Sequence, residues 1–105
     1  MLNTLKKIFG CTEIDFADLK RNGALIVDVR SPQEYQSGHI KNSINIPVSS
    51  IKNSLSKLTD KKQPIITCCA SGMRSASAKS ILKNLGYENV VNGGSWISLE
   101  EILNK

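Results

Sequence analysis

Histidine occurs once in this chain of 105 residues, cysteine three times and aromatic residues five times. A single histidine, with no Cys/His spacing of the kind that ligates zinc, argues against a metal site, and no cofactor is expected. Three cysteines is an odd number, and the neighbours Cys68 and Cys69 would close only a strained ring. A disulfide framework is therefore excluded, and reduced thiols in a cytoplasm-like compartment are expected. No apolar run approaches the roughly 20 residues that span a bilayer, so no stable membrane insertion is expected. The opening "MLNTLKKIFG" lacks the unbroken apolar region and small-residue cleavage site of a signal peptide. Its Leu2, Leu5, Ile8 and Phe9 instead suggest a short amphipathic segment, residues 1–11, packing on the domain. The net charge is +5, yet no run of Lys and Arg exceeds two, and aromatics for base stacking are scarce. Nucleic-acid binding is not expected; a solvated basic surface that favours small anions is. Internal repeats and low-complexity linkers are also missing, and the length suffices for one core but not two.

What is present alternates between strand and helix patterns. Asp15 can cap a helix through Arg21, and Asn22-Gly23 turns the chain. "ALIVDV" (24–29) and "IITCC" (65–69) are continuous apolar runs, the pattern of strands covered on both faces. "SPQE" (31–34) is a helix start, with Ser31 as N-cap, Pro32 at the first position and Glu34 closing a capping box, and Gly38 ends that helix. "SINIP" (43–47) reads as a short strand stopped by Pro47, and Ser49 or Ser50 can cap a helix through about Leu58 with Ile51, Leu55 and Leu58 on one face. Residues 75–85 read as a helix stopped by Gly86, and "NVV" (89–91) as the last strand, with Gly93-Gly94 opening a tight turn into "SWISLEEIL". Such alternation predicts an α/β fold with a mostly parallel sheet flanked by helices in three layers, its ligand site beyond the carboxyl ends of the strands.

The loop "CASGMRS" lies at such an end. A chain passing from buried strand to helix gathers backbone N–H groups that have no intrahelical acceptor, and the helix dipole adds partial positive charge. Ala70, Ser71 and Gly72 leave the bowl unfilled, and Gly72 can turn left-handed. Arg74 adds a planar cationic fork. A cysteine at the base of this bowl should be a thiolate near neutral pH, suited to attack an anion that carries a transferable atom. Two counts compete. From Cys68 to Arg74 there are five intervening residues, the C-x5-R spacing of cysteine phosphatases; from Cys69 there are four, C-x-x-G-x-R. The glycine favours the second, because Gly72 stands three residues after Cys69, whereas Ser71 holds the corresponding place after Cys68.

These residues resemble the rhodanese family of sulfurtransferases over about residues 12–103. "CASGMRSA" is similar to its active-site loop. Upstream stand the D-x-R at Asp28–Arg30, E-[YF] at Glu34–Tyr35, G-H-I at Gly38–Ile40 and I-P at Ile46–Pro47; "VVNGGSW" is similar to its closing G-G-W motif. The resemblance implies a rhodanese-like domain over 12–105, a persulfide on Cys69 as the catalytic residue, and a substrate cradle of Ala70, Ser71, Gly72, Met73 and Arg74. It implies a small anionic sulfur donor such as thiosulfate and an acceptor that is a thiol, cyanide or protein thiol. Cys68 departs from many relatives and is expected to be a buried core thiol, or a resolving partner for an oxidised Cys69. Asp28 and Arg30 are expected to tie the strand end, His39 to be structural, Trp96 to cover the core and Cys11 to be a plain thiol. Two other readings use the same residues: a rhodanese-fold phosphatase or arsenate reductase working through Cys68, and a non-catalytic module that presents the loop to a partner.

Overall fold

The computed structural model describes residues 14–105; the amphipathic segment expected over 1–11 and Cys11 lie outside the described residues. Four parallel strands form one sheet in the order β2-β1-β3-β4: β1 (Leu25–Asp28), β2 (Ile44–Asn45), β3 (Ile65–Cys69) and β4 (Val90–Ser95). Helices α1 (Phe16–Arg21), α2 (Pro32–Ser37), α3 (Met73–Asn84) and α4 (Trp96–Leu103) complete the α/β architecture expected from the alternating pattern. Side chains on a strand alternate between faces, so the central strands feed two cores at once. Val27, Ile65 and Cys69 pack with Ala78 and Leu82 of α3 and with Ile51, Leu58 and Tyr87. Ile26, Ile66 and Cys68 pack on the other face with Ala24, Ile40 and Leu99, beside Phe16 and Leu19 of α1 and Trp96 and Leu103 of α4. Ile26, Ile66, Leu82 and Leu99 are fully buried. Each contributes about 1.5–3 kcal/mol relative to an exposed position.

The local signals behave as their chemistry dictates. Asp15 accepts the Asp18 N–H at 2.9 Å and starts α1. The capping box of α2 is complete: Glu34 N–H donates to Ser31 Oγ at 3.3 Å, and Ser31 N–H donates to Glu34 Oε1 at 3.1 Å. Three expectations need correction. The helix expected through Leu58 is instead two 3₁₀ segments, Val48–Asn53 and Leu55–Lys57. Neither has a side-chain cap, Ser49 and Ser50 lie inside the first segment, and the run Asn53-Ser54 has little helical preference. Ile51 and Leu58 still reach the core. The strand expected over 43–47 pairs over only two residues at the sheet edge. Gly93-Gly94 does not leave the sheet: β4 runs through both, and the chain turns only where Ser95 caps α4. A Cβ at Gly93 would stand 2.8 Å from Ile66 Cγ2 and 2.9 Å from both Leu99 Cδ2 and Thr67 O. That glycine serves close packing of the last strand rather than a turn.

Behind the site, the end of β1 is tied by a buried ion pair. Arg30 Nε donates to Asp28 Oδ1 at 2.9 Å and Nη2 to Oδ2 at 2.7 Å, while Nη2 also reaches Gly38 O at 2.7 Å and Nη1 reaches Glu34 O at 3.3 Å. The guanidinium lies 4.6 Å from the centroid of the Trp96 ring. The upstream motif thus fixes α2 and the turn after it against the sheet, as expected of Asp28 and Arg30.

Candidate active site

Strand β3 ends at Cys69, and α3 begins at Met73, two residues earlier than the sequence pattern suggested. Gly72 is the residue before the helix, at φ +101°, the left-handed turn anticipated for it. Its ideal Cβ would lie 3.4 Å from the Cα of Gly94, so the loop and the glycine pair of β4 approach backbone to backbone.

This geometry turns amide donors onto one sulfur. Gly72 N–H donates to Cys69 Sγ at 3.0 Å and Ser75 N–H at 3.4 Å. Ser75 Oγ lies 3.4 Å from the sulfur; the thiol donates to this hydroxyl, and the thiolate accepts from it. Burial pushes the Cys69 thiol up, but the Ser75 hydroxyl and the N–H groups of Ser75, Gly72 and Ser71 outweigh it and leave the thiol below its ordinary value. Cys68, one residue earlier, points to the opposite face of the sheet. Burial there, with the charge of Asp28 adding to it, pushes its thiol up to about 12. Cys68 is thus the buried core thiol that was expected, and the suggestion that it might resolve an oxidised Cys69 does not survive, because the sheet stands between the two side chains.

Of the expected cradle, Ala70, Ser71 and Met73 are exposed around the loop and Gly72 is half-buried. Arg74 is turned differently from the expectation that it faces the sulfur. Its Nη1 donates to Glu34 Oε1 at 2.7 Å and its Nη2 to Oε2 at 3.1 Å, a two-pronged pair with side chains 40% and 38% exposed. Those bonds from Arg74, with the helix-cap donors of Ser31, hold the Glu34 carboxyl down at about 2. A full carboxylate already fixed by Ser31 attracts a guanidinium more strongly than a neutral thiol does. His39 is exposed, stacked on Tyr35 with ring centroids 3.7 Å apart, and bonded through Nδ1 to Tyr35 O at 2.7 Å.

Two residues that sequence reasoning missed organise the loop. Ser75 carries the hydroxyl at the sulfur. Asn92 accepts from Ser75 Oγ at 2.7 Å and from Gly94 N–H at 2.9 Å through Oδ1, and donates through Nδ2 to Gly72 O at 3.2 Å. A serine at the sixth position after a candidate nucleophile could have drawn notice, since it stands one turn into the helix; nothing local marks Asn92. Among the described residues no group of His, Cys, Asp and Glu is arranged to hold a metal ion, and no helix is long and apolar enough to cross a membrane.

A parallel α/β sheet whose third strand ends in a cysteine, its sulfur met by the Gly72 and Ser75 N–H groups at the start of the next helix, defines the class of domain to which this chain is compared. The chain belongs to the rhodanese-like domain family, whose model matches residues 12–95. It is 38% identical over 69 residues to the thiosulfate sulfurtransferase PspE of Escherichia coli, a match covering 65% of this chain and 66% of that protein, just under two thirds. It is 37% identical over 78 residues to the thiosulfate sulfurtransferase GlpE of Pseudomonas savastanoi pv. phaseolicola, covering 72% of this chain and 73% of that one. Among solved structures, a rhodanese with anions from E. coli superposes with a TM-score of 0.67 at 35% identity, covering 70% of this chain and 88% of the other.

Proposed function

We propose that this domain is a thiosulfate sulfurtransferase that works through a persulfide on Cys69. The observation that carries the reading is the convergence of the Gly72 and Ser75 N–H groups and the Ser75 hydroxyl on the Cys69 sulfur, which favours the thiolate over the thiol. The thiolate attacks the outer sulfur of thiosulfate. A bond forms between the two sulfurs, the bond from outer sulfur to sulfonate breaks, and sulfite leaves with the bonding pair. The resulting Cys69–S–S⁻ carries its charge into the ring formed by the loop from Ala70 to Arg74. An acceptor thiolate, free or on a protein, or cyanide then takes the outer sulfur and returns Cys69 as thiolate. The names of the E. coli and Pseudomonas relatives support this choice of donor. A reducing, cytoplasm-like compartment suits a nucleophile of this kind.

Cys68 is a poor candidate for the phosphatase or arsenate reductase reading, since its thiol is held neutral on the far side of the sheet. The loop from Cys69 to Arg74 has six residues, one fewer than a C-x5-R loop counted from its nucleophile, and a phosphoryl group needs a wider ring of donors. The test is the intact mass after thiosulfate treatment. The expected result is an adduct of about 32 Da, one sulfur atom on a thiol, that is abolished by Cys69→Ser and kept in Cys68→Ser. An adduct that depends on Cys68, or aryl-phosphate turnover with no sulfur transfer, would reject the reading. No adduct and no turnover would leave the loop as a binding surface.

A further inference from the structure

Arg74 is the only full positive charge that the loop itself carries, and the structure shows both of its terminal nitrogens committed to Glu34, at 2.7 and 3.1 Å. Glu34 is in turn immobilised: its Oε1 also accepts from Ser31 N–H and Ser31 Oγ, each at 3.1 Å. The carboxylate therefore belongs to the frame of α2 rather than to a roaming surface side chain, and it is paired with the one cation of the loop. The pair carries no net charge. An anion drawn toward the guanidinium therefore also meets the fixed negative group paired with it. An arrangement built only to attract anions would leave the guanidinium free.

We infer that Glu34 is a specificity-determining residue, one that offsets Arg74 and so limits how strongly the loop prefers anionic over neutral electrophiles at Cys69. For the identity of the sulfur donor this rests on the sulfurtransferase reading; for the charge preference of Cys69 it does not. Glu34 acts through Arg74 and through its own field, and it has no part in bond making. Its partial offset narrows the advantage of an anionic sulfur donor such as thiosulfate over an uncharged one.

Glu34→Gln is the informative substitution. Glutamine keeps the side-chain length and can still accept from Ser31 in the capping box, so α2 retains its start while the charge is lost. The probes are iodoacetate, an anion, and iodoacetamide, its neutral counterpart, each reacting with Cys69 in the full chain carrying Cys11→Ala and Cys68→Ala, so that Cys69 is its one thiol. The ratio of the two rates cancels the thiolate fraction and reports only the charge met by the reagent. Glu34→Gln should raise the ratio of iodoacetate to iodoacetamide rates by roughly three- to tenfold at low salt, the effect of one nearby charge through partly screened solvent, and the gain should shrink as salt is added. Ser31→Ala, which weakens the cap and leaves the charge in place, should leave the ratio as it is. A ratio unchanged in Glu34→Gln, or one that moves equally in Ser31→Ala, overturns the inference. Should sulfur transfer from thiosulfate prove absent while the ratio still rises, the functional reading fails and the role of Glu34 stands. Should transfer be present, the KM for thiosulfate should fall in Glu34→Gln; a KM that rises would show that Glu34 only positions Arg74, and would also overturn the inference.

Discussion

Replacing Ser75 by alanine isolates the one side-chain hydroxyl at the nucleophile. In the thiol state Ser75 gives its proton to Asn92 Oδ1 at 2.7 Å, and Cys69 donates to the hydroxyl oxygen across 3.4 Å. When Cys69 ionises, the hydroxyl must turn from Asn92 to the sulfur. A hydrogen bond to a charged group contributes about 1.5–3 kcal/mol. Sulfur is a diffuse acceptor and the bond to Asn92 is given up, so a net value of about 1–1.4 kcal/mol is the reasonable figure here. The N–H donors of Gly72 and Ser75 survive the change. Ser75→Ala should therefore move the Cys69 midpoint upward, because the thiolate loses a donor and the thiol loses only a weak acceptor. At a pH below the midpoint, alkylation by iodoacetamide should slow by roughly five- to tenfold, while the plateau at high pH stays close to wild type. Asn92 Oδ1 keeps its bond from Gly94 N–H, so the loop should hold its shape. The measurement is the full rate profile against pH, with the denaturation midpoint as a control for folding. A profile that does not move would refute the assignment of Ser75 as a donor to the thiolate. A profile that drops equally at every pH would point to blocked access instead.

Cys68→Ala should keep the persulfide adduct and lower stability by about 1 kcal/mol, the cost of a small cavity in the cluster around Ile26 and Leu99, as read by urea unfolding. Gly93→Ala should cost about 1–3 kcal/mol on the same assay, since the added carbon must displace Ile66, Leu99 or the Thr67 carbonyl. The Glu34 carboxyl, followed by NMR, should titrate at about 2; because its folded value lies below the ordinary 4.5, the contribution of its pairing to stability is present above that ordinary value and is lost as pH falls through about 2. A midpoint for Glu34 near 4.5 would show that the pair with Arg74 does not persist in solution.

The parts of the fold that were legible in the sequence are those decided within a few residues. The capping box of Ser31 and Glu34, the apolar strand "IITCC" and the left-handed Gly72 each depend on near neighbours, and each is found where expected. The choice between Cys68 and Cys69 came from local spacing, and strand alternation puts the two on opposite faces of the sheet. What escaped was settled by distant partners. Glu34 lies forty residues from Arg74, and each looked complete alone, one as a helix cap and the other as a cationic cradle residue. Asn92 reaches Ser75 and Gly72 from seventeen and twenty residues away, and nothing in "VVNGG" marks the amide as a loop tether. The segment after Pro47 had helical spacing of Ile51, Leu55 and Leu58, but spacing does not supply caps, and it settled into 3₁₀ turns. Gly93-Gly94 read as a turn because the demand for a side-chain-free surface comes from β3, which is adjacent in space only.

The sheet acts as an insulating wall between two thiols that are neighbours in the chain. Both are buried among apolar neighbours; on one side amide and hydroxyl donors outweigh that burial and leave the thiol below its ordinary value, while on the other burial, with the charge of Asp28 added, pushes it up to about 12. If an oxidant reaches the reactive side and leaves a sulfenic acid on Cys69, Cys68 cannot pass through the wall to capture it as a disulfide. Repair must then come from a thiol outside this sheet.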